Sequence, residues 1–253
     1  MCCLIGEKVR MKKILIIKTG TTFPSIRKIY GDFDDFIINE GDIPPNNVIV
    51  ASVYKHKSLP DISNVSAVII TGSHAMVTDH ENWSIYLSQW LQDIIYTSIP
   101  MLGICYGHHL LAQAFGGQVD YHPKGKEIGT VNIELTDQGE KNPLMGILPK
   151  TFLGHVTHAQ TVITLPVNGR LLARNNFEGH HAFSLNKTIW GVQFHPEFNA
   201  DVTRAYIDEQ KESLIIAGYD LDKLYDSVQE HKYGKLLLKC FMELVESQQL
   251  NMC

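Results

Sequence analysis

Short apolar runs that close on glycine or turn residues alternate with amphipathic stretches through the first half of the chain. KKILIIKTG (12–20), NVIVASVYK (47–55) and SAVIITGS (66–73) are three such runs, and IPMLGIC (99–105) is a fourth. Their β-branched content and bounding turn residues predict buried strands running into loops. Between the last two lies ENWSIYLSQWLQDIIYTS (81–98). It sets Trp83, Tyr86, Leu87, Trp90, Leu91, Ile94 and Ile95 at three- and four-residue spacing. That period predicts an amphipathic helix whose aromatics pack in the core. Strands alternating with helices predict a parallel sheet with right-handed crossovers.

The pattern changes after about residue 117. GGQVDY, EIGTVNIELT, TFLGHVTH, VITLP, GRLLARN, HHAFSL and TIWGVQFH follow in close succession. They predict antiparallel hairpins added to the sheet edge. From about 199 helices return, first DVTRAYIDEQKESLIIAG and then a long stretch over 219–249, with Gly218 as the cap between them. No Pro/Gly/Ser-rich linker divides the sequence, so it reads as one α/β domain: a flavodoxin-like, mostly parallel sheet flanked by helices, with an antiparallel strand-rich extension and C-terminal helices. The expected bounds are 11–253, with residues 1–10 a disordered or mis-assigned leader before Met11.

Composition narrows the classes. The 253 residues carry a formal net charge of −5, which gives no support to a polyanion-binding surface, so no nucleic-acid partner is expected. No run reaches the roughly 18 apolar residues of a membrane span. The five cysteines (2, 3, 105, 240 and 253) form no framework and no CxxC pair, as in a reduced, cytoplasmic protein. Cys2 and Cys3 read as free thiols rather than lipid anchors, and Cys240 as part of an apolar helix face.

Cys105 stands apart. Strand, G-x-C-x-G, then helix is the nucleophile-elbow pattern with sulfur in place of a hydroxyl. Gly103 and Gly107 keep Cβ atoms away where strand and helix cross. The helix from Tyr106 directs its first N–H groups at the sulfur and favours thiolate. The competing reading is a small core residue that landed beside glycines. A thiolate needs a proton partner. In WGVQFHPEF (190–198) an apolar strand delivers His195, Pro196 ends the pairing, and Glu197 follows two residues on. In an extended segment positions i and i+2 face the same way, so Glu197 can orient His195 while its other nitrogen meets Cys105.

GICYGHH together with GVQFHPE resembles the class I, triad-type glutamine amidotransferases. The resemblance implies a cysteine that attacks the glutamine side-chain amide, a histidine that moves protons and a glutamate that orients it: Cys105, His195 and Glu197. Residues 19–37, 70–83 and 125–139 resemble the standalone members called GMP synthase-like, which include γ-glutamyl peptidases. The family's oxyanion donors correspond to the N–H of Tyr106 and one at Gly72 or Ser73. The segment FLGHVTHAQTVITLP is similar to the family's substrate-lining S-H-x-D-x-V-x-x-L-P, matched by Thr157, His158, Val162, Leu165 and Pro166. Two positions depart from it: His109 stands where the family has Gln, and Gln160 where it has Asp. Losing that Asp removes a charge able to pair with an ammonium.

These residues imply hydrolysis of glutamine to glutamate and ammonia through a cysteine thioester, with ammonia passed to a separate synthetase. A free-standing γ-glutamyl peptidase is the alternative, and a non-catalytic scaffold on the same fold is the reading from another class. No cofactor and no metal are expected. His155 with His158, and His180 with His181, are metal-like pairs for which the sequence offers no completing carboxylate or thiol. Lys124–Gly125–Lys126 is too short for a phosphate loop. The helices over roughly 220–249 are either a surface for a partner or second copy, or cover for the sheet.

Overall fold

A computed structural model describes residues 12–250. The leader expected at 1–10, the start at Met11, and Cys2, Cys3 and Cys253 lie outside the described residues. The strands are β1 Lys13–Lys18, β2 Val48–Ser52, β3 Val65–Ile70, β4 Met101–Ile104, β5 Gln118–Tyr121, β6 Glu127–Leu135, β7 Thr151–His158, β8 Gln160–Thr164, β9 Arg170–Arg174, β10 Ala182–Leu185 and β11 Ile189–Val192. The helices are α1 Pro24–Tyr30, α2 Phe33–Glu40, α3 Asn82–Ile94, α4 Tyr106–Ala114, α5 Asp137–Glu140, α6 Ala200–Ile216, α7 Leu221–Ser227 and α8 Tyr233–Leu250.

Nine strands form one sheet in the order β2-β1-β3-β4-β11-β10-β9-β6-β7. The half β2-β1-β3-β4-β11 is parallel and repeats the flavodoxin-like order. The half from β10 to β7 is antiparallel. The parallel strands are apolar throughout because both faces are covered. On β1, Ile14 and Ile16 join Ile37 of α2 and Leu237 and Phe241 of α8 on one face. Leu15 and Ile17 face the other way, toward Leu87 and Leu91 of α3 and Leu110 and Leu111 of α4. Alternate residues of one strand thus feed two cores.

Three expectations shift. β5 and β8 do not extend the main sheet but form a separate antiparallel ribbon that packs on α4. The buried Gln160 amide pulls the chain there, accepting from Val77 N–H at 3.0 Å and donating to Thr78 Oγ1 at 2.7 Å. The aromatic stripe of α3 is only partly core: Trp83 is buried and Tyr86 is exposed. The helix expected over 219–249 breaks between α7 and α8. There Val228 is extended, its carbonyl accepts from Arg204, and Gln229 N–H donates to Thr130 Oγ1 at 3.2 Å. Gly218, at φ 84°, ends α6 as the sequence predicts, and Cys240 is buried in the apolar face of α8.

Candidate active site

Cys105 alone makes the turn from β4 into α4, at φ 49° and ψ −97°. Side chains rarely occupy that region, and such strain persists only when its surroundings enforce it. Here the Cys105 N–H donates to Val192 C=O at 2.8 Å, and its C=O accepts from His109 N–H at 3.1 Å. Both glycines are required by close approach. A Cβ on Gly103 would collide with the Gly107 carbonyl oxygen, and one on Gly107 would stand 2.5 Å from that of Ile70. The thiol faces a cavity, with Sγ 4.0 Å from the Thr157 carbonyl oxygen.

His195 lies just past β11, where its N–H donates to His155 C=O at 2.8 Å. The extended His195–Glu197 segment expected from the sequence is instead a turn. Pro196 stops the strand, and Phe198 N–H returns to His195 C=O at 3.3 Å. The turn still delivers the contact: His195 Nδ1–H donates to Glu197 Oε1 at 2.8 Å, with both side chains buried. The other ring nitrogen, Nε2, has no hydrogen-bond partner among the described residues. Burial opposes charge on His195, but Glu197 and the Cys105 sulfur outweigh it and lift the imidazole to about 10. Phe198 stacks on the imidazole at 4.1 Å between ring centroids, which fixes its plane.

Gly72 lies beside both the ring and Cys105. A Cβ there would lie 3.1 Å from His195 Cε1 and 3.8 Å from Cys105 Cβ. The hydroxyls of Thr19 and Thr71 donate to the Gly72 carbonyl at 3.0 and 2.9 Å. In a trans peptide this turns the Ser73 N–H the opposite way. The Ser73 hydroxyl donates to Thr19 C=O at 3.0 Å and accepts from Ala75 N–H at 3.1 Å, which pins the loop. Tyr106 opens α4, where the helix offers its N–H no partner. Its phenol packs inward and bonds Ser84 Oγ at 2.6 Å.

The cavity is about 240 Å³ in volume. One wall carries the four positions expected to line it. His109 is buried with Nε2 2.6 Å from Gln193 Oε1, and burial with nearby His158 pushes it down to about 3, so it is neutral. His158 has both ring nitrogens committed, Nδ1 to Gln160 C=O at 2.9 Å and Nε2 to Glu127 Oε2 at 3.1 Å. Gln160 has its amide engaged with Val77 and Thr78, and Thr157 presents its carbonyl to the sulfur. The other wall was not expected from sequence, where Lys126 entered only in a stretch too short for a phosphate loop: Phe23, His74, Lys126, Tyr206 and Gln210. One signal for it was available, since Tyr206 and Gln210 are four apart on α6 and share a face.

The remaining histidines sort by partner. His108 packs on Phe183, and burial pushes it well below its ordinary value. Carboxylates do neighbour the metal-like pairs, contrary to the sequence expectation: Glu127 Oε2 is 3.3 Å from His181 Nε2, and Glu178 Oε2 is 4.0 Å from His158 Nδ1. Even so, no group of three or more His, Cys, Asp or Glu among the described residues is arranged to hold a metal ion. Nor is any helix among the described residues long and apolar enough to cross a membrane.

Comparison with known proteins bears on the same segments. γ-Glutamyl peptidase 4 of Arabidopsis thaliana is 24% identical over 210 residues, 78% of this chain and 80% of the relative. A glutamine-hydrolyzing GMP synthase subunit of Methanococcus aeolicus is 30% identical over 156 residues, 61% of this chain and 73% of the relative. A glutamine amidotransferase of Thermotoga maritima, 22% identical, superimposes with a TM-score of 0.74 over 93% of this chain and 98% of its own, which shows a common fold. The family model for glutamine amidotransferase class I matches residues 45–211, a span that includes the elbow at Cys105 and the turn at His195. The chain belongs to the class I glutamine amidotransferase family.

Proposed function

We propose that this chain hydrolyses γ-glutamyl amides through a thioester on Cys105, with glutamine the simplest substrate. The observation that carries the reading is the His195–Glu197 contact of 2.8 Å beside a cysteine held at φ 49°. His195 Nε2 takes the thiol proton and sulfur attacks the amide carbon, while Glu197 stabilises the imidazolium. The oxyanion meets the N–H of Tyr106 and that of Ser73, set by the Gly72 peptide. Collapse breaks the C–N bond, and the leaving nitrogen takes the proton from His195. Water, deprotonated by His195, then attacks the thioester and releases the γ-carboxylate product and the thiol.

His109, His158 and Gln160 form the acyl-side wall in this reading, and Thr157 joins it to Gln210. The catalytic unit spans 11–253, with the helical part from about 199 contributing Tyr206 and Gln210. The partner set is a small γ-glutamyl substrate, and a separate synthetase chain wherever the released ammonia is used. A second copy on the C-terminal helices is tested by mass in solution. Cys105 and Cys240 are both free, in keeping with a reducing, cytoplasmic setting.

A second reading, a free-standing γ-glutamyl peptidase, is favoured by one observation: the likeness to γ-glutamyl peptidase 4 runs over 78% of this chain, whereas that to the GMP synthase subunit runs over 61%. Incubation with glutamine and with γ-glutamyl peptides separates the two, reading ammonia or amine release. Turnover that Cys105→Ala abolishes is expected. No turnover, and no labelling of Cys105 by a glutamine-analogue electrophile, would sink both readings and leave a scaffold.

A further inference from the structure

Among the described residues, Lys126 is the one lysine lining the cavity, and no carboxylate lines it. Its ammonium donates to Gln210 Oε1 and forms no ion pair within 4.0 Å among the described residues. The position is built. Tyr219 accepts from Lys126 N–H and donates to Lys126 C=O, both at 2.8 Å, which clamps the backbone. Gln210 is held in turn by Tyr206 C=O at 2.9 Å and Thr157 Oγ1 at 3.3 Å. A half-buried lysine carrying no salt bridge is costly unless something else balances it. In the free protein the Cys105 sulfur contributes, favouring the charged ammonium against burial. Once that sulfur becomes a thioester, its contribution is gone.

The side of the cavity follows from the reaction. His195 gives its proton to the leaving nitrogen, so the amine portion of the substrate lies on the His195 side. That side continues from His195 to Phe198, stacked on it, then to Tyr206, whose ring centroid is 4.9 Å from that of Phe198, and one turn on to Gln210 and Lys126. His109, His158 and Gln160 form the other wall.

We infer that Lys126 is a specificity-determining residue that receives a carboxylate on the amine side of the scissile bond, so that the preferred γ-glutamyl amides are those with an anionic leaving group. This rests on the γ-glutamyl amide hydrolysis proposed above and narrows its substrate class to γ-glutamyl amino acids and peptides with a free carboxylate near the bond. Glutamine, which releases only ammonia, leaves Lys126 unpaired.

The test compares γ-glutamylglycine with γ-glutamylglycinamide, near-isosteric substrates that differ in that one charge. The kcat/KM ratio should favour the acid by about tenfold, the scale of a partly desolvated charge-assisted contact. Lys126→Met should bring the ratio toward one, Lys126→Arg should keep most of it, and Lys126→Glu should invert it. A wild-type ratio near one, or a ratio that Lys126→Met leaves unchanged, overturns the inference. Calorimetric binding of the same two compounds to Cys105→Ala reads the ratio without turnover. A charge preference in binding with no hydrolysis would therefore remove the proposed function and keep the lysine site, whereas hydrolysis with no preference would do the reverse.

Discussion

Two histidine–glutamate clusters border one cavity, and they differ in what their cavity-lining histidine has left to offer. In the first, Glu197 holds Nδ1 of His195, and Nε2 has no protein partner among the described residues. In the second, Glu127 faces both His158 and His181, and His158 is bonded at both nitrogens. Residue types and burial are nearly the same. A ring bonded at one nitrogen can exchange a proton at the other, whereas a ring bonded at both is a structural tie. The first cluster also faces a cysteine in a strained turn, whereas the second is met by the Gln160 carbonyl and the Asn175 side-chain amide. What marks the first cluster is an uncommitted nitrogen beside the strained cysteine, because His181 in the second cluster also carries ring nitrogens without a hydrogen-bond partner and faces no nucleophile.

The largest expected effect breaks the open cluster. Cys105→Ala or His195→Ala should lower kcat/KM by about 10³-fold or more, and the double variant should be no worse than either, because the groups act as one unit. Single-turnover kinetics on a γ-glutamyl amide reads this. Glu197→Gln keeps the shape and removes the charge. A fall of about 10²- to 10⁴-fold is expected, with the alkaline limb of the pH–rate profile moving down from about 10 as the imidazolium loses its partner. The raised His195 value carries a stability sign too. Its contribution is complete below the ordinary histidine range and lost as pH rises through about 10. The variant should therefore lose more stability at pH 6 than above pH 10.

Breaking the closed cluster should read out in folding. Glu127→Leu strands His158 and His181 and should cost about 3 to 5 kcal/mol by urea unfolding. Burial alone would raise the Glu127 carboxyl, but hydrogen bonds from His158 and His181 outweigh it and hold it well below the usual carboxylate range. Its contribution is then present above about pH 4.3 and lost as pH falls further, so wild type and variant should converge in acid. Gly72→Ala probes the space beside the ring. The added methyl would meet His195 Cε1 at 3.1 Å, and displacing the ring should cost about 10²-fold in kcat/KM with the melting temperature little changed.

The open cluster was legible in the sequence because its parts sit where chain geometry advertises them. Cys105 lies between glycines that no larger residue could replace, and His195 and Glu197 flank a strand-ending proline. The route of the contact was not legible, since a turn and an extended segment share the same three residues. The parallel half of the sheet was readable from continuous apolar runs. The β5–β8 ribbon was not, because it depends on the Gln160 amide reaching a turn far back in the chain. The break before α8 rests likewise on Arg204 and Thr130 capturing backbone groups that helical spacing would assign to the helix. Lys126, Tyr206 and Gln210 reach the cavity from elements distant in sequence, so only the fold brings them together.

The smallest change sharpens the comparison best. Thr161 is buried and donates to Glu178 Oε1 at 2.8 Å, an oxygen that also accepts from His180 N–H at 2.7 Å. Thr161→Val keeps the volume and removes one charge-assisted bond, while the His180 N–H remains to hold the carboxylate. The expected cost is about 1.5 kcal/mol, read as a shift in the urea midpoint at constant slope. Because the closed cluster ties β8 to the segment before β10 and moves no proton, kcat/KM for a γ-glutamyl amide should stay within about twofold of wild type, corresponding to roughly 0.4 kcal/mol. A fall in kcat/KM with the urea midpoint unmoved would mean that the closed cluster takes part in turnover, and the division between an open and a closed histidine–glutamate group would fail.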